Sequence, residues 1–399
     1  MSLSIIYDFY MENETGLEGE ANKDEEENKT KVKKPVFKDP MDKEAYIDKK
    51  LLTSAKVIER MVNINTFDEI AKDFRFYEEP ADEATYPEGS LMPLWRFKVI
   101  RDRQDLEVTG LQWNPKYHDL YGVSYGSYDF YQKSEESFLC FYSLKNPSYP
   151  EYICRAHCGV MCLDIHQKYP QMVVAGLYDG NIAVFNFTAK SEEPMYVSNA
   201  KSGKHADPVW QIKWAKDNLD GYLNFYSISG DGRVTNWTIV KTSLWFKDEY
   251  KVFFNKPLYN SKEISGKLFD GARSIAFQPD KDENFLIGTE EGDVYLATTE
   301  YSSDFLTSYH GHVSPINKIM WNPFYPLIFI TCASEHILYI WHRDLPTPIL
   351  HFDLGSCVGD VAWAPYSSTV FAAVTGCGRV FVYDIQISKY KPICKQVGN

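Results

Sequence analysis

The stretch WNPFYPLIFITCASEHILYIWH, residues 321–342, contains two short apolar runs around a polar turn, with one tryptophan at its start and another near its end. Short runs of β-branched and aromatic residues separated by a turn are typical of a β-hairpin. The stretch therefore predicts two antiparallel strands. Its first tryptophan also belongs to a pattern that recurs along the chain.

The hairpin is one of six copies of a spaced apolar pattern. Each copy resembles Val-x-x-Leu-x-Trp, and the copies begin 42 to 63 residues apart, from Val108 to Val358. This spacing is expected for the four-stranded blades of a β-propeller. We expect the last position of each copy to form the repeat core, and these residues are Trp113, Ile165, Trp214, Phe277, Trp321 and Trp363.

A second spacing supports the repeat. In four copies a closing residue follows 20 positions after the last apolar position, and it stands five residues after a turn residue such as Gly180, Gly292 or Gly378. Strands and tight turns consume a fixed number of residues, because strand residues alternate between two faces and tight turns favour Gly or Asp. No helical pattern appears after residue 100, so we predict an all-β propeller.

The composition narrows the classes of partner. The chain has 399 residues, of which 44% are hydrophobic, and this is enough for one large globular domain. A net charge of -13 argues against sequence-independent binding to the phosphate backbone of a nucleic acid, so we expect no nucleic acid partner. Residues 361–378 carry no charge, but Pro365 and a Ser-Ser-Thr cluster interrupt them, so we expect no membrane span.

The N-terminus has neither the basic region nor the apolar stretch of a signal peptide, which predicts an intracellular protein. Eight cysteines are scattered along the chain, as is typical of thiols in a reducing compartment. Cys154, Cys158 and Cys162 lie near His157 and His166 at a spacing that zinc sites allow. Cys162 falls inside a predicted inner strand, where neighbouring side chains point to opposite faces. We therefore expect buried thiols, and no metal or other cofactor.

The N-terminal quarter has a different composition. Residues 1–40 are mostly charged and polar, which predicts a disordered tail. Residues 41–62 place apolar side chains at helical spacing, and a second short helix is predicted from Asn65 as its N-cap. We divide the chain into the tail 1–40, a helical arm 41–90 and a propeller 91–399. The apolar stripe of the arm could pack on the propeller or enter a groove on a partner.

The repeats resemble WD repeats in degenerate form. Gly311-His312 matches the Gly-His dipeptide of that family, and the closing Trp-Asp dipeptide appears as Trp341-His342, Trp237-Thr238, Phe185-Asn186 and Tyr383-Asp384. One of these four keeps the aspartate. The resemblance therefore implies that most units lack the polar network of the family and depend on apolar packing between blades.

Longer stretches resemble dynein intermediate chains of the axonemal outer-arm type, namely residues 57–83, 111–130, 202–214 and 359–375. Such chains are non-catalytic scaffolds in the cytoplasm and the ciliary axoneme. The resemblance implies that the propeller binds a heavy-chain tail, beside a second intermediate chain, and that the arm recruits light chains. The residues that would engage a roadblock-type light chain are Val57, Ile58, Glu59, Arg60, Ile64, Phe67 and Ile70.

The sequence departs from that family in the number of blades. Seven are implied and six are counted, since residues 385–399 are too few for another unit of about 40 residues. We expect residues 91–99 (LMPLWRFKV) to supply the outer strand of the last blade, and the propeller to lack most of that blade. A truncated chain would explain the difference.

The loop 201–208 and the segment around Gly311 are candidates for an exposed propeller face. They contain Lys204, His205, His310 and His312. For the loop 201–208, a solvated loop with no binding role is an equal alternative to a contact surface. A catalytic histidine would need an acidic partner that the sequence does not identify, so we expect no enzyme.

Two other functions stay open at this point. A different WD-repeat adaptor, such as a ubiquitin-ligase substrate receptor, would bind short peptides at the central opening and would not bind light chains. A propeller enzyme would need convergent carboxylates or a metal at the central channel, where the inner strands offer Trp, Val, Leu and Ile.

Overall fold

The computed structural model describes residues 40–66, 91, 95–97, 106–128, 137–189, 191–217, 221–241, 243–253, 270–300 and 304–397. The chain forms two compact units, residues 1–55 and 56–399. One helix, α1 (Pro40–Thr66), begins in the first unit and ends in the second. The expected tail, apart from Pro40, lies outside the described residues, as do Phe67 and Ile70.

Helix α1 differs from the expected pair of helices. It runs without a break through Asn65 to Thr66, so Asn65 is a helical residue and the predicted N-cap at this position is wrong. The hydroxyl group of Thr66 donates a hydrogen bond to the Val62 carbonyl, 3.0 Å away, as an interior helical residue does.

Six four-stranded antiparallel sheets follow, and each is a meander in which consecutive strands pair. Sheet 1 contains β1 (Glu107–Trp113), β2 (Leu120–Gly126), β3 (Ser137–Ser143) and β4 (Tyr152–Ala156). Sheet 2 contains β5 (Val160–Ile165), β6 (Met172–Leu177), β7 (Ile182–Asn186) and β8 (Tyr196–Val197). Sheet 3 contains β9 (Val209–Trp214), β10 (Asn224–Ser229), β11 (Arg233–Val240) and β12 (Ser243–Lys251).

The second half of the chain repeats this plan. Sheet 4 contains β13 (Ala272–Phe277), β14 (Asn284–Thr289), β15 (Asp293–Thr298) and β16 (Thr307–His310). Sheet 5 contains β17 (Ile316–Trp321), β18 (Ile328–Ala333), β19 (Ile337–His342) and β20 (Leu350–Asp353). Sheet 6 contains β21 (Val358–Trp363), β22 (Val370–Thr375), β23 (Arg379–Asp384) and β24 (Cys394–Val397). The predicted six-unit β-propeller is confirmed.

Successive sheets are joined by apolar clusters. The first strand of a sheet packs its Val-x-x-Leu-x-Trp positions onto the preceding sheet, as Val160 and Leu163 do against Phe141 of sheet 1. The indole nitrogens of these tryptophans also donate to backbone carbonyls of the preceding first strand. Trp321 bonds to Ala276 at 3.0 Å and Trp214 to Asp164 at 3.0 Å. The repeated pattern is therefore the contact between sheets.

The turn between the second and third strands contains a glycine with positive φ in sheets 2, 3, 4 and 6. Gly180, Gly232, Gly292 and Gly378 all have φ between 71° and 93°, a region that side chains with a Cβ rarely adopt. At Gly180 an added Cβ would also lie 2.3 Å from the carbonyl oxygen of His205. At Gly180 and Gly292 the predicted turn residues thus bring the turn against the loop that enters the next sheet, whereas nothing lies within 4 Å of a Cβ added at Gly378.

The repeat-core residues are not all buried. Ile165, Trp321 and Trp363 are buried, and Trp214 and Phe277 are partly buried. Trp113 is 47% exposed, so its predicted burial is wrong. No sheet precedes sheet 1 among the described residues, and the first strand therefore has no apolar face to pack on.

The expectation that residues 91–99 supply the outer strand of a last, incomplete blade stays a prediction, because that blade is not sheet 6. The outer strand of sheet 6 is β24, which pairs with β23, so the sixth sheet is complete within residues 358–397. Trp95 and Phe97 pack on sheet 1, where the ring centroids of Phe97 and Tyr121 lie 5.1 Å apart. Residues 92–94, 98 and 99 lie outside the described part of the chain.

The two ends of the sheet series carry uncovered apolar residues. Val374 of β22 is exposed, although the matching positions in sheets 2 and 4, Gly176 and Gly288, lie against the next sheet. Val108, at the first repeat position of sheet 1, is exposed as well. Within the described ranges, apolar clusters join sheets 1 to 6 in order, and none joins sheet 6 to sheet 1.

The uncharged residues 361–378 lie in β21, the turn between β21 and β22, β22 and the turn before β23. In the part of the chain that the structure describes, no helix has the length and apolar character needed to cross a membrane.

Replacing Trp321 by alanine should lower the free energy of unfolding by about 3 to 5 kcal/mol, because its side chain is buried between sheets 4 and 5. Trp113→Ala is the matched control, since Trp113 has the same repeat position but is exposed, and its loss should cost less than about 1 kcal/mol. Chemical denaturation followed by circular dichroism measures both values. Equal losses would contradict the assignment of this position to packing between sheets.

Candidate interaction surfaces

The C-terminal part of helix α1 contacts sheet 1 through polar side chains. Arg60 lies 3.5 Å from the carboxylate of Glu151, and Asn63 donates to the side-chain oxygen of Asn146 at 3.3 Å. The ammonium group of Lys56 lies 3.8 Å above the ring of Tyr149. The helical spacing of residues 56, 60 and 63 places them on one side of the helix, which faces the turn between β3 and β4.

The other side of the same helix is apolar and exposed. Val57, Ile58, Met61 and Val62 are all exposed, and Ile58 keeps 62% of its surface in contact with solvent. Glu59 is partly buried, and the side chain of Ile64 lies outside the described residues. We call Val57, Ile58, Met61 and Val62 the apolar stripe. Of the two predicted alternatives for these four residues, packing on the propeller is not observed.

His205 is part of a buried hydrogen-bond network in sheet 3. Its Nε2 atom lies 2.7 Å from the hydroxyl group of Ser227, to which the indole of Trp237 also donates at 2.7 Å. Its Nδ1 atom lies 3.2 Å from the carboxylate of Asp231. Burial alone would raise the pKa of Asp231, but hydrogen bonds from His205 and two backbone amides hold it well below its usual range.

Sheet 5 contains the same network. His312 Nε2 and the indole of Trp341 both lie 2.8 Å from the hydroxyl group of Thr331. The Nδ1 atom of His312 pairs with Glu335, which takes the place of the aspartate. Burial lowers the pKa of His312, and the carboxylate of Glu335 opposes this shift. A neutral histidine therefore links a turn to the closing tryptophan.

These two networks correct the choice of His205 and His312 as residues of an exposed face. Both are buried, with their polar atoms directed into the fold. The acid comes from the turn between the second and third strands, and not from the closing dipeptide. A sequence signal exists: Ser or Thr stands four residues before the acid, and Trp stands six residues after it, in both sheets. The closing dipeptide does not contain the acid of the network, so it gives no sign of this spacing.

The other two face candidates are at the surface. The side chain of His310 is 59% exposed and its Nδ1 atom lies 2.7 Å from the carboxylate of Asp293. Lys204 is partly buried, and its ammonium group lies 3.5 Å from Asp179, which also contacts His157. The carboxylates of Asp293 and Asp179 thus contact neighbouring side chains of the same chain.

The cysteine cluster is divided between two cores. Cys154 packs between sheets 1 and 2, whereas Cys162 packs between sheets 2 and 3. Burial raises the pKa of both thiols to about 12, so both are protonated at neutral pH and are poor metal ligands. Among the described residues, no group of three or more metal-ligating side chains could hold an ion.

Acid should destabilise the protein through His312. Because burial lowers its pKa in the folded state, the unfolded chain takes up the proton first as the pH falls below about 6.5, and the free energy of unfolding decreases. The folded protein should therefore lose stability between about pH 7 and pH 5. In His312→Gln this contribution should vanish, so the difference in stability between wild type and variant should depend on pH.

Denaturant titrations at each pH provide the measurement, and His310→Gln at the surface is the matched control. Burial raises the pKa of Asp270 to about 6, which acts in the opposite direction, but this group is present in wild type and both variants and cancels in the differences. Parallel stability curves for wild type and His312→Gln would contradict the assignment.

Comparisons with known proteins agree with the fold. The family model described as "WD domain, G-beta repeat" matches residues 303–342, from the region of β16 to the end of β19. The chain is 44% identical to "Dynein intermediate chain 2, ciliary" of Heliocidaris crassispina, over 98% of this chain and 56% of that protein. The same values hold for "Dynein axonemal intermediate chain 1" of Mus musculus.

A more distant relative is "Dynein, 78 kDa intermediate chain, flagellar outer arm" of Chlamydomonas reinhardtii, which is 37% identical over 87% of this chain and 51% of its own length. The chain spans about half the length of these curated relatives. The similarity to the first two extends over almost all of the residues that form helix α1 and the six sheets. The repeat, its WD-type networks and these matches together place the chain in the family of axonemal dynein intermediate chains.

Proposed function

We propose that this chain is a non-catalytic scaffold subunit of an outer-arm axonemal dynein. Its propeller binds the tail of a motor heavy chain, beside a second intermediate chain, and helix α1 recruits light chains, including one of the roadblock type. The protein is located in the cytoplasm and in the ciliary or flagellar axoneme. ATP hydrolysis belongs to the heavy chain.

The apolar stripe is the observation that carries this proposal. Four apolar side chains on one helix face are exposed, while the opposite polar side of the helix holds it to sheet 1. Burying these four residues in a partner groove removes roughly 25 cal/mol of unfavourable solvation per Å² of apolar surface. A helix fixed by one side and apolar on the other is suited to a partner that binds helices in a groove.

The polar groups of the propeller support a scaffold role. The buried histidines His205 and His312 are saturated by hydrogen bonds within their own sheets. Their acidic partners, Asp231 and Glu335, are used in the same networks. These groups stabilise turns, and a general base would need free access to a substrate proton.

The uncovered faces of sheets 1 and 6 bear on the number of blades. Resemblance to intermediate chains implies seven, and Val108, Leu111 and Val374 are exposed where an additional sheet would cover them. We propose that a seventh four-stranded sheet lies between sheets 6 and 1 in the assembled protein.

Placing charge on the apolar stripe should abolish light-chain binding. We expect Ile58→Asp with Val62→Asp to weaken binding of a recombinant roadblock-type light chain at least tenfold, or about 1.4 kcal/mol, because each carboxylate would have to be buried. Isothermal titration calorimetry of the full chain with the light chain gives the dissociation constants.

The matched control is Ile58→Leu with Val62→Leu, which keeps the stripe apolar and should bind as wild type does. Circular dichroism and thermal melting should show the same fold in both variants. Undiminished binding by the aspartate variant would exclude the stripe as the light-chain site. Absence of binding by wild type, together with peptide binding at the central opening, would favour a WD-repeat adaptor of another kind.

A further inference from the structure

Two of the eight cysteines differ from the buried thiols that the sequence suggests. Cys357 and Cys377 are exposed, whereas five cysteines are buried and Cys158 is partly buried. Both exposed thiols belong to sheet 6: Cys357 immediately precedes β21, and Cys377 lies in the turn between β22 and β23. Oxidation of a protein thiol requires access of the oxidant to the sulfur. These two are therefore the thiols that a dissolved oxidant reaches first.

The fold brings the two thiols to one place. The backbone amide of Gly376 donates to the carbonyl of Cys357 at 2.8 Å, and Cys377 is the next residue. The sulfur of Cys357 lies against Gly376, because a Cβ added at that glycine would be 2.6 Å from it. A larger residue in place of Gly376 would displace the sulfur. Glycine thus lets the thiol of Cys357 lie beside the turn that carries Cys377.

The turn also has room to adjust. Residues that face each other across an antiparallel backbone hydrogen bond have Cα atoms about 5.5 Å apart, and a disulfide spans Cα separations of up to about 6.8 Å. Cys377 is one residue further along the turn than Gly376, which faces Cys357. Nothing lies within 4 Å of a Cβ added at Gly378, so a small movement of the turn meets no neighbour there.

Cys377 stands where sheets 3 and 5 have the acid of their histidine networks. Asp231 and Glu335 each follow the last residue of the second strand by two positions, and each contacts the histidine of the loop that enters its sheet. Cys377 follows Thr375, the last residue of β22, by the same two positions. In sheet 6 a thiol therefore replaces the carboxylate that joins the turn to the loop.

The histidine of the network is replaced as well. His205 and His312 stand four residues before β9 and β17, and the residue four positions before β21 is Leu354. Leu354 is buried in the apolar cluster between sheets 5 and 6, and its side chain has no polar atom to bond to the turn. In the described part of sheet 6, the backbone hydrogen bond of Gly376 joins loop and turn without a histidine–acid pair.

The same loop is bonded to sheet 5. The amide of Leu354 donates to the His336 carbonyl at 2.9 Å, and the amide of Val358 donates to the Glu335 carbonyl at 3.0 Å. The loop thus lies between the turn of sheet 5 and the turn of sheet 6. A covalent bond from the loop to the second turn would give sheet 6 the connection that His312 and Glu335 provide in sheet 5.

We propose that Cys357 and Cys377 form a redox modification site, in which a small disulfide of the glutathione type oxidises the two thiols to an intramolecular disulfide. The new bond fixes the loop that enters sheet 6 to the turn between β22 and β23. It takes the place of the histidine–acid pair of sheets 3 and 5. The inference goes beyond the proposed function and does not depend on which partners the chain binds.

The reaction is two successive thiol–disulfide exchanges. The sulfur of one cysteine, as the thiolate, attacks glutathione disulfide, so that a mixed disulfide forms and one glutathione leaves with the electron pair. The sulfur of the other cysteine then attacks the protein sulfur of the mixed disulfide, and the second glutathione leaves in the same way. Two cysteine thiols are oxidised, one glutathione disulfide is reduced to two glutathione thiols, and these take up the two protons that the cysteines lose.

The test is peptide mass mapping of the full chain after equilibration in buffers with different ratios of reduced to oxidised glutathione. Residues 344–379 contain no Lys or Arg before Arg379, so trypsin leaves both exposed thiols in one peptide. With oxidised glutathione in excess, this peptide should lose two hydrogen atoms in mass, and excess reduced glutathione should restore them. The peptide 156–168 is the control in the same digest, because it also has two cysteines but Cys162 is buried, and it should stay reduced.

Thermal melting tests the effect on the fold. Oxidised wild type should melt at least about 3 °C above the reduced protein, because the disulfide restricts the unfolded chain. Cys357→Ser and Cys377→Ser should each remove this difference, and each should melt as reduced wild type does, since both side chains are exposed. Cys158→Ser, which changes a partly buried thiol of the loop that enters sheet 2, is the matched control and should keep the difference.

Four results would overturn the proposal. The peptide 344–379 could stay reduced in excess oxidised glutathione, or it could carry two glutathione groups and no internal disulfide. The disulfide could join two chains, which electrophoresis without a reducing agent would show as a dimer. The internal disulfide could form without raising the melting temperature, and the assigned connection between loop and turn would then be wrong.

Discussion

Every sheet of this protein needs a neighbour to cover its apolar face, and the structure depends on that requirement. A four-stranded sheet with two apolar faces cannot leave either in water without a large loss of solvation free energy. Each first strand meets the need by packing onto the preceding sheet, as Val160 and Leu163 do against sheet 1. Trp113 shows the converse, since the same repeat position is exposed where no preceding sheet is described.

The need to pair buried polar atoms explains why the histidine networks occur in two sheets and are not general. A closing tryptophan brings a polar indole nitrogen into the core, and a buried donor needs an acceptor. Trp237 and Trp341 find theirs in Ser227 and Thr331, which the histidines also contact. Sheet 2 closes with Phe185 instead, which has no polar atom to satisfy. Apolar packing suffices there.

The side chains that are available to bind a partner are those that the packing between sheets leaves exposed. The apolar stripe of helix α1 is exposed, yet its helix is held to sheet 1 by polar contacts. Such surfaces suit a subunit that joins other proteins, because little motion is lost on binding. The family assignment and the geometry both support the proposed scaffold role.

The sequence alone determined the repeat, because strand alternation and turn chemistry are local. The spacing of Trp321 and Trp341 and the glycines at positive φ followed from residues close in the chain. It did not determine which repeated residues are buried, since burial of Trp113 depends on a neighbouring sheet distant in sequence. It also misplaced His205 and His312 on a face, because their partners stand 19 to 26 residues away. Only the tertiary structure brings those partners together, because the pairing of the second and third strands folds the turn that carries the acid back against the loop that carries the histidine.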